Sequence, residues 1–135
     1  MNILKKIYDK LIKEATKARL EAYVPYSKFK VGAALLTTKN NIYSGCNIEN
    51  ASLGLTVCAE RVAIFKAISE GSRQFEAIAI VCDSIKPCFP CGACRQIISE
   101  FGKEIVIISS NLKGNIKIAS MAELLPNAFG KEDLF

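Results

Sequence analysis

The chain has no histidine anywhere in its 135 residues. Ser-His-Asp and Cys-His machinery both use imidazole as the base, so neither is available. Any metal site must therefore be assembled from Cys, Asp or Glu. Long hydrophobic runs are missing too: stretches such as Ile105–Ile108 end far short of the roughly 18 apolar residues that a membrane span needs. The N-terminal residues are charged at short intervals and enclose no apolar segment, so they do not read as a secretory leader. The expectation is an intracellular, cytoplasmic protein with no membrane partner. Proline is scarce at 4 residues and glycine modest at 8, while 50% of the chain is hydrophobic. That balance excludes collagen-like, low-complexity and disordered classes.

What is present suits one folded unit. A length of 135 residues falls within the roughly 100–200 of a single domain, and about two-thirds of the unfolded surface can be buried at that size. Residues 1–135 are read as one domain. Leu4, Ile7, Leu11, Ala15, Ala18 and Ala22 recur at intervals of three and four, which predicts an amphipathic helix over 2–22. Phe29–Thr37 and Ile42–Ile48 read as strands joined through a polar Lys39-Asn40-Asn41 turn. A loop over Glu49–Thr56 leads into a second helix, Cys58–Glu70, closed by Gly71. Phe75–Cys82 reads as a strand, Ser84–Pro90 as a loop and Cys91–Phe101 as a third helix stopped by Gly102. Two more strands, Glu104–Ser109 and Asn115–Ala119, precede a helical turn at Met121–Leu125. Alternating strands and helices predict an α/β fold, a three-layer α-β-α sandwich around a mixed five-stranded sheet.

The net charge of +5 is spread out. Lys5, Lys6, Lys10, Lys13, Lys17 and Arg19 of the first helix read as a solvated face, because Asp9, Glu14 and Glu21 interrupt them. They lack aromatic interleaving of the kind that single-stranded nucleic-acid binders use, Tyr8 standing alone among them, so no nucleic-acid partner is expected.

Chemistry concentrates in the cysteines, at positions 46, 58, 82, 88, 91 and 94. In a reducing compartment they are expected to stay free thiols, and clustered thiols there point to metal or redox work rather than to disulfides. Two segments stand out, Cys58-Ala59-Glu60-Arg61 and Pro90-Cys91-Gly92-Ala93-Cys94-Arg95-Gln96, each at the start of a predicted helix. Cys91 and Cys94 share one face of a first turn and can pinch one ion. Cys58 supplies a third ligand. No fourth protein ligand is evident, which is the arrangement of a zinc ion that activates water rather than one that only holds a fold. With Cys58 in non-helical cap geometry and side chains leaning N-terminally, Glu60 can reach back over the metal as a proton shuttle. Zinc with three thiolates sums to −1, which weakens it as a Lewis acid. Two helix N-termini offset that charge, and Arg61 and Gln96 are placed to donate hydrogen bonds to the sulfurs. Cys88, in a loop between Pro87 and Pro90, reads as a spectator; Cys46 and Cys82, in apolar strands, read as small core hydrophobes.

This pattern resembles the zinc-dependent cytidine deaminases in their small homotetrameric form, over nearly the whole chain. Zinc deaminases as a group carry a His/Cys/Cys or three-Cys site beside a Glu that is not a ligand. Besides the two zinc segments, Tyr26–Ala34 looks like the family's first strand and its lead-in. Asn47-Ile48-Glu49-Asn50-Ala51 looks like its ribose-binding segment, and Leu124-Leu125-Pro126 with Phe129-Gly130 like its C-terminal signature. The resemblance implies one Zn2+ per chain on Cys58, Cys91 and Cys94, with Glu60 as the catalytic acid–base. It implies that Asn47 and Glu49 bind the sugar hydroxyls, that Phe29 lines the pocket and that the Ala59 N–H holds the pyrimidine. Phe129 is implied to reach a neighbouring subunit's site in a homotetramer. The implied reaction is hydrolysis of cytidine and deoxycytidine to uridine and deoxyuridine with release of ammonia, in pyrimidine salvage. Leu53, where many relatives carry Tyr, and Lys131, where many carry Pro, depart from the pattern. Alternatives are deamination of an aminoglycosyl-nucleoside antibiotic or of a base within a nucleic acid, and a non-enzymatic structural zinc module.

Overall fold

A computed structural model describes residues 3–134. Helix α1 (Ile3–Arg19) leads to the strands β1 (Val31–Thr37) and β2 (Ile42–Cys46). Then come α2 (Ala59–Ser69), β3 (Phe75–Cys82), α3 (Gly92–Ser99), β4 (Val106–Asn111), β5 (Ile116–Ser120) and the short α4 (Met121–Leu124). The five strands form one sheet in the order β2-β1-β3-β4-β5. β3 and β4 run parallel and every other neighbouring pair is antiparallel. The mixed five-stranded sheet expected from the alternation of elements is thus observed.

Strand periodicity creates the layers, because successive side chains point to opposite faces. Ala34, Leu36, Ala77, Ala79, Val81 and Ile108 pack against Leu11 and Ala15 of α1. Ala33, Leu35, Ile78, Ile80 and Ile107 face the other way, against Ala63, Ile64 and Ala67 of α2 and Ile98 of α3. Two glycines let the helices come close. A Cβ on Gly32 would lie 1.9 Å from the Ala15 carbonyl of α1, and one on Gly45 would lie 2.7 Å from the Ala59 carbonyl of α2. Any side chain at either position would push a helix off the sheet.

β3 has the expected bounds and β4 and β5 start later than expected at unchanged length, whereas the helices, β1 and β2 are shorter than the sequence suggests, for local reasons. Residue 2, the expected start of the first helix, lies outside the described residues. That helix stops at Arg19 because Leu20–Ala22 turn in i→i−3 bonds before Tyr23 bridges to Ile48. β1 begins at Val31 rather than Phe29, since residues 24–28 form a turn closed by Lys28 N–H to the Val24 carbonyl. β2 ends at Cys46, because the Asn47 side chain leaves the ladder to bond the backbone at Phe29 and Val31. Two 3-10 turns, Leu53–Leu55 and Lys131–Asp133, had no counterpart in the hydrophobic pattern.

The fate of two cysteines corrects an expectation. Cys82, the buried last residue of β3, is disulfide-bonded to Cys88, their α-carbons 6.5 Å apart. The 83–90 loop turns back on the end of its own strand, bringing Cys88 within the roughly 4.4–6.8 Å that allows bridging. Cys88 stays outside the metal cluster, as a spectator should, but it is not a free thiol, and Cys82 is more than a core hydrophobe. Cys46, Cys58, Cys91 and Cys94 are free.

Register locates the functional end. Val31 lies opposite Cys82, Gly32 opposite Cys46, and Cys82 opposite Asn111. The carboxyl ends of β2, β3 and β4 therefore share one edge, and α2 and α3 both begin after chain emerges there. In open α/β sheets this edge is where ligands bind.

Candidate active site

Cys58 is the N-cap of α2, with φ −71° and ψ 154°, and Cys91 is the N-cap of α3, with φ −68° and ψ 172°. Both are extended, and neither side chain caps its own helix. That leaves both sulfurs available to a ligand. The Sγ atoms of Cys58, Cys91 and Cys94 all lie within 4.8 Å of one another. Three sulfurs on one tetrahedral zinc, with Zn–S of about 2.3 Å, stand about 3.8 Å apart. Among the described residues no other His, Cys, Asp or Glu atom joins that group. The soft, three-thiolate donor set with its fourth position open fits a catalytic zinc ion.

Glu60, one residue into α2 beyond Ala59, is buried beside the cluster but outside the converging donor set. Burial pushes its carboxyl up to about 7, the Cys58 sulfur adding to the rise, while a hydrogen bond from the Cys94 thiol and the Arg61 charge act against it. An acid that titrates near neutrality can both accept and return a proton. Without metal, the sulfurs share protons unequally. Cys58 is lowered to about 5, by the Cys94 hydrogen bond first and by Arg61 as well. The Cys94 thiol moves up, chiefly because it donates to Cys58 and is itself buried. One thiolate is thus ready at neutral pH before any ion arrives.

Arg61 donates through Nη2 to Cys58 Sγ at 3.6 Å and to the Thr56 carbonyl at 3.2 Å. Its Nε is buried without a partner. The expected donation to a sulfur is seen here. Gln96 behaves differently from its expectation: its amide nitrogen donates to the Phe129 carbonyl at 2.8 Å. Gln96 lies five residues beyond Cys91 and two beyond Cys94, off the face those sulfurs share, so it ties down the C-terminal segment instead. The neighbouring Arg95 donates through Nε to the Pro90 carbonyl at 2.7 Å and through Nη1 to the Leu124 carbonyl at 2.9 Å. Sequence reasoning passed over Arg95. Its one signal is position, four residues after Cys91 and adjacent to Cys94.

Asn47 and Glu49 hold the chain that carries Phe29. Asn47 Oδ1 accepts from the Val31 N–H at 2.9 Å and its Nδ2 donates to the Phe29 carbonyl at 2.8 Å. Glu49 accepts from the N–H groups of Tyr26 and Ser27, each at 3.1 Å, and from the Ser27 hydroxyl. Those bonds, the Ser27 hydroxyl foremost, hold the Glu49 carboxyl below its ordinary value. Phe29 and Phe129 are exposed. Ala59 is fully buried, and its N–H belongs to a first turn whose donors have no intrahelical acceptor. Leu53 is exposed in its 3-10 turn, and Lys131 opens the other. An apolar groove of about 490 Å³ between Ile48, Leu55, Val57, Val62 and Phe65 touches Glu49 and Asn50 but none of the sulfurs.

A layered α/β sheet that delivers three thiolates and a buried carboxyl from two helix starts defines a zinc hydrolase of the deaminase type. The family model for the cytidine and deoxycytidylate deaminase zinc-binding region matches residues 5–110, and the chain belongs to that family. It is 57% identical over 127 residues to a cytidine deaminase from Sporosarcina psychrophila, covering 93% of each chain. A crystal structure of cytidine deaminase from Burkholderia pseudomallei superposes with a TM-score of 0.88 at 48% identity, covering 90% of this chain and 98% of that one. A blasticidin-S deaminase from Bacillus cereus is more distant, 33% identical over 108 residues, 74% of this chain and 76% of that one.

Proposed function

We propose that this chain, acting as a single domain, deaminates cytidine and deoxycytidine hydrolytically, giving uridine or deoxyuridine and ammonia. The observation that carries the reading is the buried Glu60 carboxyl standing beside three convergent sulfurs without joining them. A structural zinc module has no use for such a group, and burying a carboxyl costs stability. Cys58, Cys91 and Cys94 hold the ion. Bound by them, zinc would supply the Lewis acidity that lets water be deprotonated near neutral pH.

The remaining steps belong to the protein. Glu60 takes a proton from the attacking water as the new C–O bond forms at ring carbon 4. It returns that proton to ring nitrogen 3, then carries the proton of the new carbon 4 hydroxyl to the exocyclic nitrogen as the C=O bond forms, the C–N bond breaks and ammonia departs. Arg61 and the two helix N-termini offset the excess thiolate charge. The Ala59 N–H receives the pyrimidine. Asn47 and Glu49 retain hydrogen-bonding capacity beyond their backbone contacts, an amide hydrogen and carboxylate lone pairs, for the sugar hydroxyls. Phe29, which they position, supplies a face for the nucleoside, and Phe129 completes a neighbouring subunit's pocket in a homotetramer. Exposed Leu53, Leu55, Phe65 and Phe129 support such an assembly. The reaction serves pyrimidine salvage in the cytoplasm; no described helix is long and apolar enough to cross a membrane. Because Cys82 and Cys88 are outside the cluster, their redox state leaves the donor set unchanged.

Ultraviolet monitoring of cytidine and deoxycytidine, with ammonia measured in parallel, tests the reading. Turnover abolished by a chelator and restored by zinc is the expected result. Inertness toward both nucleosides alongside turnover of an aminoglycosyl-nucleoside antibiotic would overturn the substrate assignment.

A further inference from the structure

Arg95 donates to carbonyl oxygens on three sides. Its backbone N–H bonds the Cys91 carbonyl at 2.9 Å, its Nε the Pro90 carbonyl at 2.7 Å and its Nη1 the Leu124 carbonyl at 2.9 Å. The Pro90 and Cys91 carbonyls belong to the two peptide planes that flank the Cys91 α-carbon. Fixing both planes fixes that residue's φ of −68° and ψ of 172°, and with them the direction of its Cα–Cβ bond.

The three ligands need such help unequally. Cys94 is fully buried and Cys58 is half-buried with Arg61 on its sulfur, whereas Cys91 is exposed. Packing therefore constrains Cys91 least, and a planar guanidinium with several donors in fixed geometry suits the task of holding it. The third bond reaches 29 residues along the chain to the end of α4. We propose that Arg95 is a positioning residue for the metal centre: it aims Cys91 and makes that aim depend on the docking of the segment after β5. This rests on the zinc reading of the cluster.

The test compares wild type with Arg95→Met, Arg95→Lys and Gln96→Ala. Zinc affinity is read by competition with a chromophoric chelator, and sulfur geometry by the thiolate-to-metal absorption of cobalt(II)-loaded protein. Arg95→Met should bind zinc about 10–100-fold more weakly, the usual consequence of losing a group that orients a ligand, with a changed cobalt spectrum. Arg95→Lys, which keeps the charge but not the planar fork, should fall between. Gln96→Ala severs the same helix from the tail at Phe129 and should leave affinity within about twofold. Wild-type affinity and spectrum in Arg95→Met would overturn the inference, as would equal weakening in Gln96→Ala. If Arg95→Met fails to fold, the same wild-type readings from Arg95→Lys overturn it. A wild-type protein that binds no zinc would sink the metal reading itself, a separate and recognisable outcome.

Discussion

The two helix starts that meet at the cluster are built alike and work differently. Each presents an N-cap cysteine in extended conformation, its sulfur clear of its own helix. On α2 the neighbours of that cysteine carry charge: Glu60 stands buried at the site and Arg61 touches the sulfur. On α3 the neighbours are small or point elsewhere. Gly92 and Ala93 add no functional group, Cys94 is a second ligand, and Arg95 and Gln96 bond backbone carbonyls. One arm supplies proton chemistry and charge, the other supplies geometry. Changes on α2 should therefore alter rates and pH dependence, and changes on α3 should alter metal binding.

The sharpest way to break that division is Glu60→Gln. Loss of a positioned acid–base is worth about 10²–10⁴ in rate, so turnover should fall at least that far while zinc content, measured by atomic absorption, stays near one per chain. Retained turnover would return Glu60 to a structural part.

Next comes the stability of the metal-free protein. Its Glu60 pKa is raised to about 7 from 4.5, so between those values the folded state holds more protons than the unfolded state. Glu60's own contribution to stability must then decline as pH rises through that window and be lowest above it, while the lowered Cys58 thiol acts in the opposite sense. With about 1.4 kcal/mol for each tenfold change in the proton equilibrium, the penalty is about 3 kcal/mol. Glu60→Gln should remove it, leaving the chelated variant more stable than chelated wild type at pH 8 and level with it near pH 4, as read by urea unfolding. An identical pH dependence in both would show that Glu60 is not the group responsible.

The seating of α2 offers a smaller effect. Gly45→Ala places a Cβ 2.7 Å from both the Ala59 carbonyl and the Ala63 nitrogen, and overpacking of this kind destabilises by about 1–3 kcal/mol. Because it moves the arm that carries Glu60, it should lower kcat more than zinc affinity. The mildest change is Arg61→Ala. Removing a cation from the Cys58 sulfur makes the site more anionic, so the pH–rate profile should move up by about one unit. A profile that stays in place would confine Arg61 to its bond with the Thr56 carbonyl.

Much of this site could be read along the chain, because a helix start is a local event. An extended cap at Cys58, and three sulfurs with a carboxyl two residues from one of them, follow from spacing and cap geometry, whereas Cys91, read into the first turn of its helix, is itself the cap. Roles that depend on approach from elsewhere were not legible. Gln96 was placed on a sulfur by proximity in sequence, yet its partner is Phe129, thirty-three residues on. Asn47 and Glu49 look like free loop polar groups until the turn at 24–28 folds over them. Nothing in the order of residues showed that the 83–90 loop would bring Cys88 back to Cys82.

By itself, the amino-acid order determined which groups could do the chemistry and, to within a residue or two, where each strand and α-helix begins, since caps, periodicity and the absence of imidazole act over a few residues. Tertiary structure decided the strand order, which helix start faces which, and what Arg95, Gln96 and Cys88 touch. Those outcomes rest on long-range burial and close backbone approach, such as α1 on Gly32 and α2 on Gly45, and no local rule contains them.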